Sequence, residues 1–439
     1  MRVELVIPAE PGIPYFVQPP IGLLYAASAL AAAGHEVRLR DKRIATEAGG
    51  PEPVDPEPAD PEPADLHVLA TTDYDSAQCY PTDLSAVALE VEDLRKISSA
   101  PVVLVGAHGT VAPEATLQAT RADCVLRGEH EVVIPDCVAV RAWDKKVWPA
   151  DAPRVASTAE VATQLTPAYE LAPMHLYFSE GVDPQTGRLE RVNTGLVLAN
   201  RGCPYRCSFC HLFFGQKMRH RPLPLVIEEL KIQRRRFGIR HFFFLDYTFT
   251  LQAEWVRQLC ELIIDSDLDI FWTCQTRCEL LREDLLPLMR RAGCTAIWLG
   301  VESHDHVKRA AVRKDLSQIE IEQALTLLRR HQIEPLVFAM VGFPDESQDS
   351  LRALNDWLKV TGVYYALSTL LPRVGAPLFN ELVDEATLAR RGWKYFDDYS
   401  SYLGISKLRR SELNWFTDFH DQNERRVTNA IRQSSHASS

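Results

Sequence analysis

The 439-residue sequence has no apolar run approaching the roughly 18–20 residues of a membrane-spanning helix, which argues against such spans. Its opening, "MRVELVIPAEPG", lacks a basic flank, a long apolar stretch and a small-residue cleavage site. It reads as a strand and a turn, so no secretory leader is expected. The expectation is a cytoplasmic chain whose ten cysteines stay reduced and form no disulfide framework. Positive charge is not in excess either. The net charge is −11, which argues against nucleic acid as a partner.

Much of that acidity is local. "PEPVDPEPADPEPAD" (Pro51–Asp65) repeats a pentapeptide and carries six acids and no base. Frequent proline removes backbone donors, so the stretch reads as a solvated insert (about 50–65) with neither helix nor sheet. Around it, residues 1–150 alternate apolar runs with helical stretches: "RVELVIP", the Ala- and Leu-rich "PIGLLYAASALAAAGHEVRLRD", "LHVLATT", "PVVLVGAHGT" and "CVLRGEHE". Continuous apolar strands separated by helices predict an α/β domain with a doubly wound parallel sheet of Rossmann type. Ligands of such sheets bind at the carboxyl ends of the strands. Gly106, Gly109, Thr110, Gly128 and Glu129 fall there, where glycine permits either a tight turn or a close backbone approach to a ligand.

Thiols are concentrated in "RGCPYRCSFCHL" (Arg201–Leu212), where Cys203, Cys207 and Cys210 form C-x3-C-x2-C after the apolar run "NTGLVLAN". Thiolates hold iron–sulfur clusters, normally one per iron. Three ligands on a four-iron cluster leave one iron open, as a catalytic zinc keeps an open position. An open iron can chelate the amino and carboxylate groups of S-adenosylmethionine, and an electron can then split the sulfonium to release a 5′-deoxyadenosyl radical. Two rivals share these residues. A structural zinc would recruit His211 as fourth ligand. Cys207-Ser-Phe-Cys210-His211 also fits the c-type haem pattern, which would need export and would leave Cys203 idle.

Downstream, "RHFFFLDYTFT", "DIFWTCQTR", "CTAIWLGVES", "PLVFAMVGFPDES" and "YYALSTLLPRVGAPLF" are strand-like runs separated by helical spacing such as "SQIEIEQALTLLRRHQI". Six such units would make a partial (β/α)6 barrel with its chemistry at the carboxyl ends of the strands. Asp246, Arg277, Glu302, Gly342 and Arg373 stand there.

This order of motifs resembles the core of radical S-adenosylmethionine (SAM) enzymes. "PPIGLLYAASALAAAGHEVRLRD", "VVLVGAHGT" and "CVLRGEHE" are similar to the cobalamin-binding domain that precedes that core in one subfamily. The resemblance implies a cobalamin-binding-like domain over 1–150, a linker over 151–192, a radical SAM core over 193–380 and a C-terminal segment and tail over 381–439. It implies a 4Fe-4S cluster on Cys203, Cys207 and Cys210. For SAM it implies an aromatic at Phe209, Asp246 on the amino group, Arg277 on the carboxylate, Glu302 on the ribose, and Gly342 to Pro344 along the adenine. Cobalamin would lie against Gly106, Thr110, Gly128 and Glu129. The loop Pro8–Pro20 contains no histidine, so cobalamin would have no lower histidine ligand from it; Tyr15, Phe16 and Gln18 are candidates to cover that face. The implied activity is C-methylation of a small molecule in secondary metabolism, with flavodoxin or ferredoxin as external reductant. A radical rearrangement, cyclisation or other group transfer is the alternative, and a non-catalytic iron–sulfur or cobalamin sensor a further class.

Other features read more plainly. His304 replaces the glycine usual after "GVES" in the family. Cys274 and Cys278 repeat the C-x3-C spacing without a third cysteine and read as strand-core thiols. "RRRFGIR" (Arg234–Arg240) reads as a basic last helical turn. "WKYFDDYSSYLGIS" (Trp393–Ser406) reads as a cover for the barrel mouth or a packing segment.

Overall fold

A computed structural model describes residues 1–9, 17–47, 63–74, 83–183, 185–186, 188–371, 373–382 and 385–393. Tyr15, Phe16, nearly all of the acidic insert and all but the first residue of Trp393–Ser406 lie outside the described residues. The chain divides into two compact units. The first comprises Met1–Tyr177, Cys210–Gly215 and Arg373–Asp397; the second comprises Phe178–Phe209, Gln216–Pro372 and Asp398–Ser439.

The first unit contains β1 (Arg2–Ile7), α1 (Ile21–Ala32), β2 (Glu36–Asp41), α2 (Lys42–Glu47), β3 (Leu66–Ala70), α3 (Ser85–Ile97), β4 (Val102–Val105), α4 (Ala107–Val111), α5 (Pro113–Thr120), β5 (Cys124–Leu126), α6 (His130–Val140) and β6 (Val147–Trp148). The strands run parallel in the order β2-β1-β3-β4-β5-β6. Strand order reverses between β1 and β3, the switch point where doubly wound sheets open a crevice. Leu5, Val68, Val103 and Leu126 are fully buried, with Leu23, Ala27 and Leu30 of α1 in the same core. This is the continuous apolar character expected of strands covered on both faces. Helix α1 has no cap from its own N-terminal side chain. Asp73, just after β3, takes that role by accepting from the Gly22 and Leu23 amides at 3.0 and 3.2 Å. The contact ties the loop after β3 to the positive end of α1.

The second unit contains β7 (Phe178–Val182), β8 (Leu189–Val197), β9 (Asn200–Arg201), β10 (Arg219–His220), α7 (Leu223–Phe237), β11 (His241–Phe244), α8 (Ala253–Asp265), β12 (Phe271–Thr276), α9 (Leu286–Arg291), β13 (Cys294–Glu302), α10 (His306–Ala311), α11 (Gln318–Arg330), β14 (Glu334–Val341), α12 (Gln348–Thr361) and β15 (Tyr364–Thr369). Its seven-stranded sheet has the order β15-β14-β13-β12-β11-β8-β7. Six strands run parallel, and β7 adds an antiparallel edge. The partial barrel expected from the sequence is therefore present. Side chains of β13 alternate by face: Ile297, Leu299 and Val301 join the core that also holds α8 and α11 residues, while Ala296 and Trp298 join a separate cluster with Phe338. Trp298 and Phe338 stack at 4.4 Å between ring centroids. Local signals match the elements. Ser317 and Glu320 form a capping box on α11, and Gly238 ends α7 at φ +72°.

Candidate functional site

The three-cysteine loop leaves the sheet through β9 and returns through β10, which pair antiparallel. Gly202 takes φ +88° at its start, and the Ser208 amide donates to the Val312 carbonyl at 2.9 Å. Every described cysteine is a free thiol. Cys203 Sγ lies 3.3 Å from Thr248 Oγ1. Burial raises the Cys207 thiol, and Lys314 and Arg277 oppose that shift. Cys210 belongs to the stretch Cys210–Gly215 of the first unit. The next residue, His211, is buried and its pKa is lowered by that burial to about 4, so it stays neutral.

Asp246 follows β11 by two residues. It is 1% exposed. Its Oδ1 accepts from the Asn200 amide, while its buried Oδ2 has no hydrogen-bond partner. Burial pushes its pKa up to about 8, against the opposing Asn200 hydrogen bond. A buried carboxyl with an orphaned oxygen suits a cationic ligand, because an ammonium would supply the missing donor and charge. On β12 the chain exits through Arg277, on β13 through Glu302 and on β14 through Gly342. The sequence placed these residues correctly at strand ends.

Glu302 adopts φ +67°, a left-handed conformation uncommon outside glycine. A register shift between Gly300 and Glu302 on the β14 side accompanies it. Its Oε1 meets Lys314 Nζ at 2.6 Å, with both side chains nearly out of solvent. At the end of β14, Glu346 turns back so that its Oε2 accepts from the Gly342 amide at 3.0 Å. Lys308 Nζ faces Glu346 Oε1 at 3.5 Å. Phe343 is buried and Pro344 exposed. Lys314, Lys308 and Glu346 escaped sequence reasoning. Lys308 and Lys314 lie on a short helix and the stretch after it, outside any motif, and Glu346 stands inside the quoted "GFPDES" run without a role that the run alone reveals. Phe209 is half-buried. His304 is half-buried, and burial lowers its pKa.

In the first unit the glycines have partners of their own. Gly106 and Gly128 take φ +123° and +130°, and a side chain at either would collide with Thr71–Thr72 or with the Arg154 backbone. Thr110 Oγ1 donates to the Gly106 carbonyl at 2.8 Å and accepts from the Gly128 amide at 3.1 Å, joining the β4 and β5 ends. Glu129 is fully buried at the start of α6. These contacts give the glycines a packing reason that the sequence alone did not reveal. A second cluster was also missed. Tyr74 stacks on His130 at 4.6 Å, accepts from its amide at 2.7 Å and meets Phe214 edge-on at 4.9 Å. His130 Nδ1 lies 3.2 Å from Asp73 Oδ1, a fit made possible because residue 22 is glycine.

The remaining candidates resolve simply. Cys274 sits in the β12 core with Cys294 as its neighbour, its pKa raised by burial; Cys278 is raised to about 12 for the same reason. Arg234 Nε donates to the Leu268 carbonyl and Arg240 pairs with Asp269, as a helix end would use its charges. Trp393 is buried edge-on to His108 at 4.9 Å.

The donor set suits an iron–sulfur cluster. Thiolates are its usual ligands, each on an iron of its own, so they need not converge on one point. Among the described residues, no group of three or more His, Cys, Asp or Glu side chains gathers closely enough for a single ion. The family model described as the radical SAM superfamily matches residues 197–358, spanning the cysteine loop, Asp246, Arg277, Glu302 and Gly342. Residues 197–358 therefore form a radical SAM domain. Such a domain makes the protein an enzyme that uses a 4Fe-4S cluster and S-adenosylmethionine. An uncharacterized methyltransferase of Pyrococcus horikoshii is 26% identical over 93% of this chain and 88% of its own length. The anaerobic magnesium-protoporphyrin IX monomethyl ester cyclase of Rubrivivax gelatinosus is 29% identical over 58% of this chain; the match spans about half, 49%, of the cyclase. Among solved structures, the radical SAM methyltransferase TsrM from Kitasatospora setae, with cobalamin and a [4Fe-4S] cluster bound, superposes with TM-score 0.65 at 18% identity, covering 87% of this chain and 77% of TsrM. That likeness establishes the shared fold.

Two outcomes follow for the apo protein. Asp246 releases its proton near pH 3.8 when unfolded and near pH 8 when folded. Between those values the native state holds a proton that the unfolded state has lost, so stability falls as pH rises. Asp246→Asn removes this titration, and its melting-temperature advantage over wild type should grow from pH 4 to pH 8 and then level. Lys314→Met strands the buried Glu302 charge, at a cost of about 3–5 kcal/mol in urea unfolding. Adding Glu302→Gln should recover most of that loss.

Proposed function

We propose that this chain is a cobalamin-dependent radical SAM methyltransferase that transfers a methyl group to an unactivated carbon of a small molecule in secondary metabolism. The observation that carries the reading is the buried, unpartnered Oδ2 of Asp246 in the same unit as Cys203 and Cys207. It is a cation-accepting group at the barrel end where the cysteine loop also emerges. We assign the cluster to Cys203, Cys207 and Cys210, the SAM ammonium to Asp246, the ribose to Glu302, and the adenine to the Gly342–Pro344 turn, with Phe209 beside the cluster. When bound, the cluster would supply the electron that splits SAM into methionine and a 5′-deoxyadenosyl radical, and cobalamin would supply a transferable methyl.

The chain's own residues prepare this. Binding a cation turns Asp246 from a neutral acid to a carboxylate, so SAM binding below pH 8 releases a proton. Lys314 fixes Glu302 in one rotamer and orients it. Glu346 holds the Gly342 amide, which sets the course of the adenine turn. We assign cobalamin to residues 1–150, at the carboxyl ends of β1 and β3–β5, near Gly106, Thr110, Gly128 and Glu129. The core would be 193–380, with 151–192 as linker and 381–439 as C-terminal segment. A low-potential external reductant such as flavodoxin or ferredoxin and a cytoplasmic location complete the proposal. No helix among the described residues is long and apolar enough to cross a membrane.

The cyclase relative favours a second reading, a radical cyclisation or rearrangement without methylation. Anaerobic titration with hydroxocobalamin, followed by gel filtration and absorption spectroscopy, separates the two. Methylation requires one corrinoid retained per chain. A protein that excludes corrinoid yet turns over its substrate supports the cyclisation reading.

A further inference from the structure

Arg277 is more fully engaged than a free carboxylate receptor needs to be. Its side chain is 9% exposed. Nε donates to Glu279, Nη2 lies 3.5 Å from the Asp315 carbonyl, and the guanidinium carbon sits 4.0 Å over the Tyr205 ring. The remaining edge carries Nη1, which lies 3.4 Å from Cys207 Sγ. Carboxylate, carbonyl and aromatic platform therefore fix the plane of the guanidinium, and Nη1 points at a thiol sulfur. Tyr205 stands inside the cysteine loop, between Cys203 and Cys207, so loop and arginine hold one another.

We propose that Arg277 is a positioning residue for the cluster: its Nη1–H donates to the Cys207 thiolate, and its fixed charge raises the cluster's reduction potential. The proposal rests on the assignment of the cluster to Cys203, Cys207 and Cys210. Reduction by dithionite adds one electron, taking the cluster core from 2+ to 1+ with no bond made or broken and no proton moved. That electron is added in a site with little water, where a nearby cation stabilises the reduced form more than the oxidised one. Hydrogen bonds to the sulfurs act in the same direction. Lysine could supply the charge but not the planar fork that serves several partners at once. A SAM carboxylate would have to compete with the sulfur for Nη1, so on this view the carboxylate is bound elsewhere.

The test is a redox titration followed by electron paramagnetic resonance on the anaerobically reconstituted full-length protein without SAM, with iron content measured in parallel. Wild type and Arg277→Gln should both hold about four irons. At the wild-type midpoint, the reduced-to-oxidised ratio in Arg277→Gln should fall about tenfold, a shift of about 59 mV for one electron. Arg277→Lys, which keeps the charge, should shift less in the same direction. SAM affinity of oxidised Arg277→Gln, by calorimetry, should stay within about twofold of wild type. An unchanged midpoint with a tenfold loss of SAM affinity would overturn the proposal and restore the carboxylate role. If Arg277→Gln retains no iron, Arg277→Lys and Tyr205→Leu decide, and wild-type midpoints in both would overturn it. Absence of iron in wild type would instead refute the cluster assignment itself.

Discussion

Charge buried at the carboxyl ends of parallel strands is the constraint that organises the second unit. Asp246 and Glu346 follow β11 and β14, Glu302 ends β13, and each is nearly excluded from water. Such burial is costly unless every carboxylate finds a cation or stays protonated. The chain answers in three ways. Glu302 has Lys314, Glu346 has Lys308 and the Gly342 amide, and Asp246 keeps its proton to about pH 8. The two paired carboxylates fix local backbone, one at a strained residue and one at a glycine turn. The unpaired one is left to receive a ligand's charge. A strand-end site thus contains both braced groups and one group in want of a cation, which suits a zwitterionic cosubstrate.

The same reasoning separates what the sequence disclosed from what it hid. Repeated apolar runs with intervening helical spacing made both sheets legible, because buried parallel strands leave a continuous signature. The C-x3-C-x2-C loop was legible for a chemical reason, since three close thiols have few other uses. Strand-end positions of Asp246, Arg277 and Glu302 followed from period alone. Their partners did not. Lys314 lies twelve residues beyond Glu302 on a turn, and Tyr205 looks like any loop aromatic until Arg277 is seen over it.

Glycine was ambiguous in a similar way. Gly106 and Gly128 stand at strand ends, where the sequence left a tight turn and a close approach to a ligand both open, and the structure adds that a side chain at either would meet another segment of the protein. A sequence shows that a side chain is missing but not what fills its place. Conversely, Gly22 gave no signal within an ordinary Ala-rich helix, although a side chain there would displace Asp73 and His130. Cys274 and Cys278 repeat the spacing of the proposed ligands Cys203 and Cys207, but the neighbour of Cys274 is Cys294 on the adjacent strand. Spacing along one strand cannot report a pairing across two.

The account turns on one event, reductive cleavage of S-adenosylmethionine at a cluster held by the loop. Anaerobically reconstituted protein, reduced with dithionite and given S-adenosylmethionine, should yield 5′-deoxyadenosine by liquid chromatography, and Cys207→Ala should yield none. A wild-type protein that carries its full complement of about four irons, binds S-adenosylmethionine and still forms no 5′-deoxyadenosine, with or without cobalamin, would contradict it.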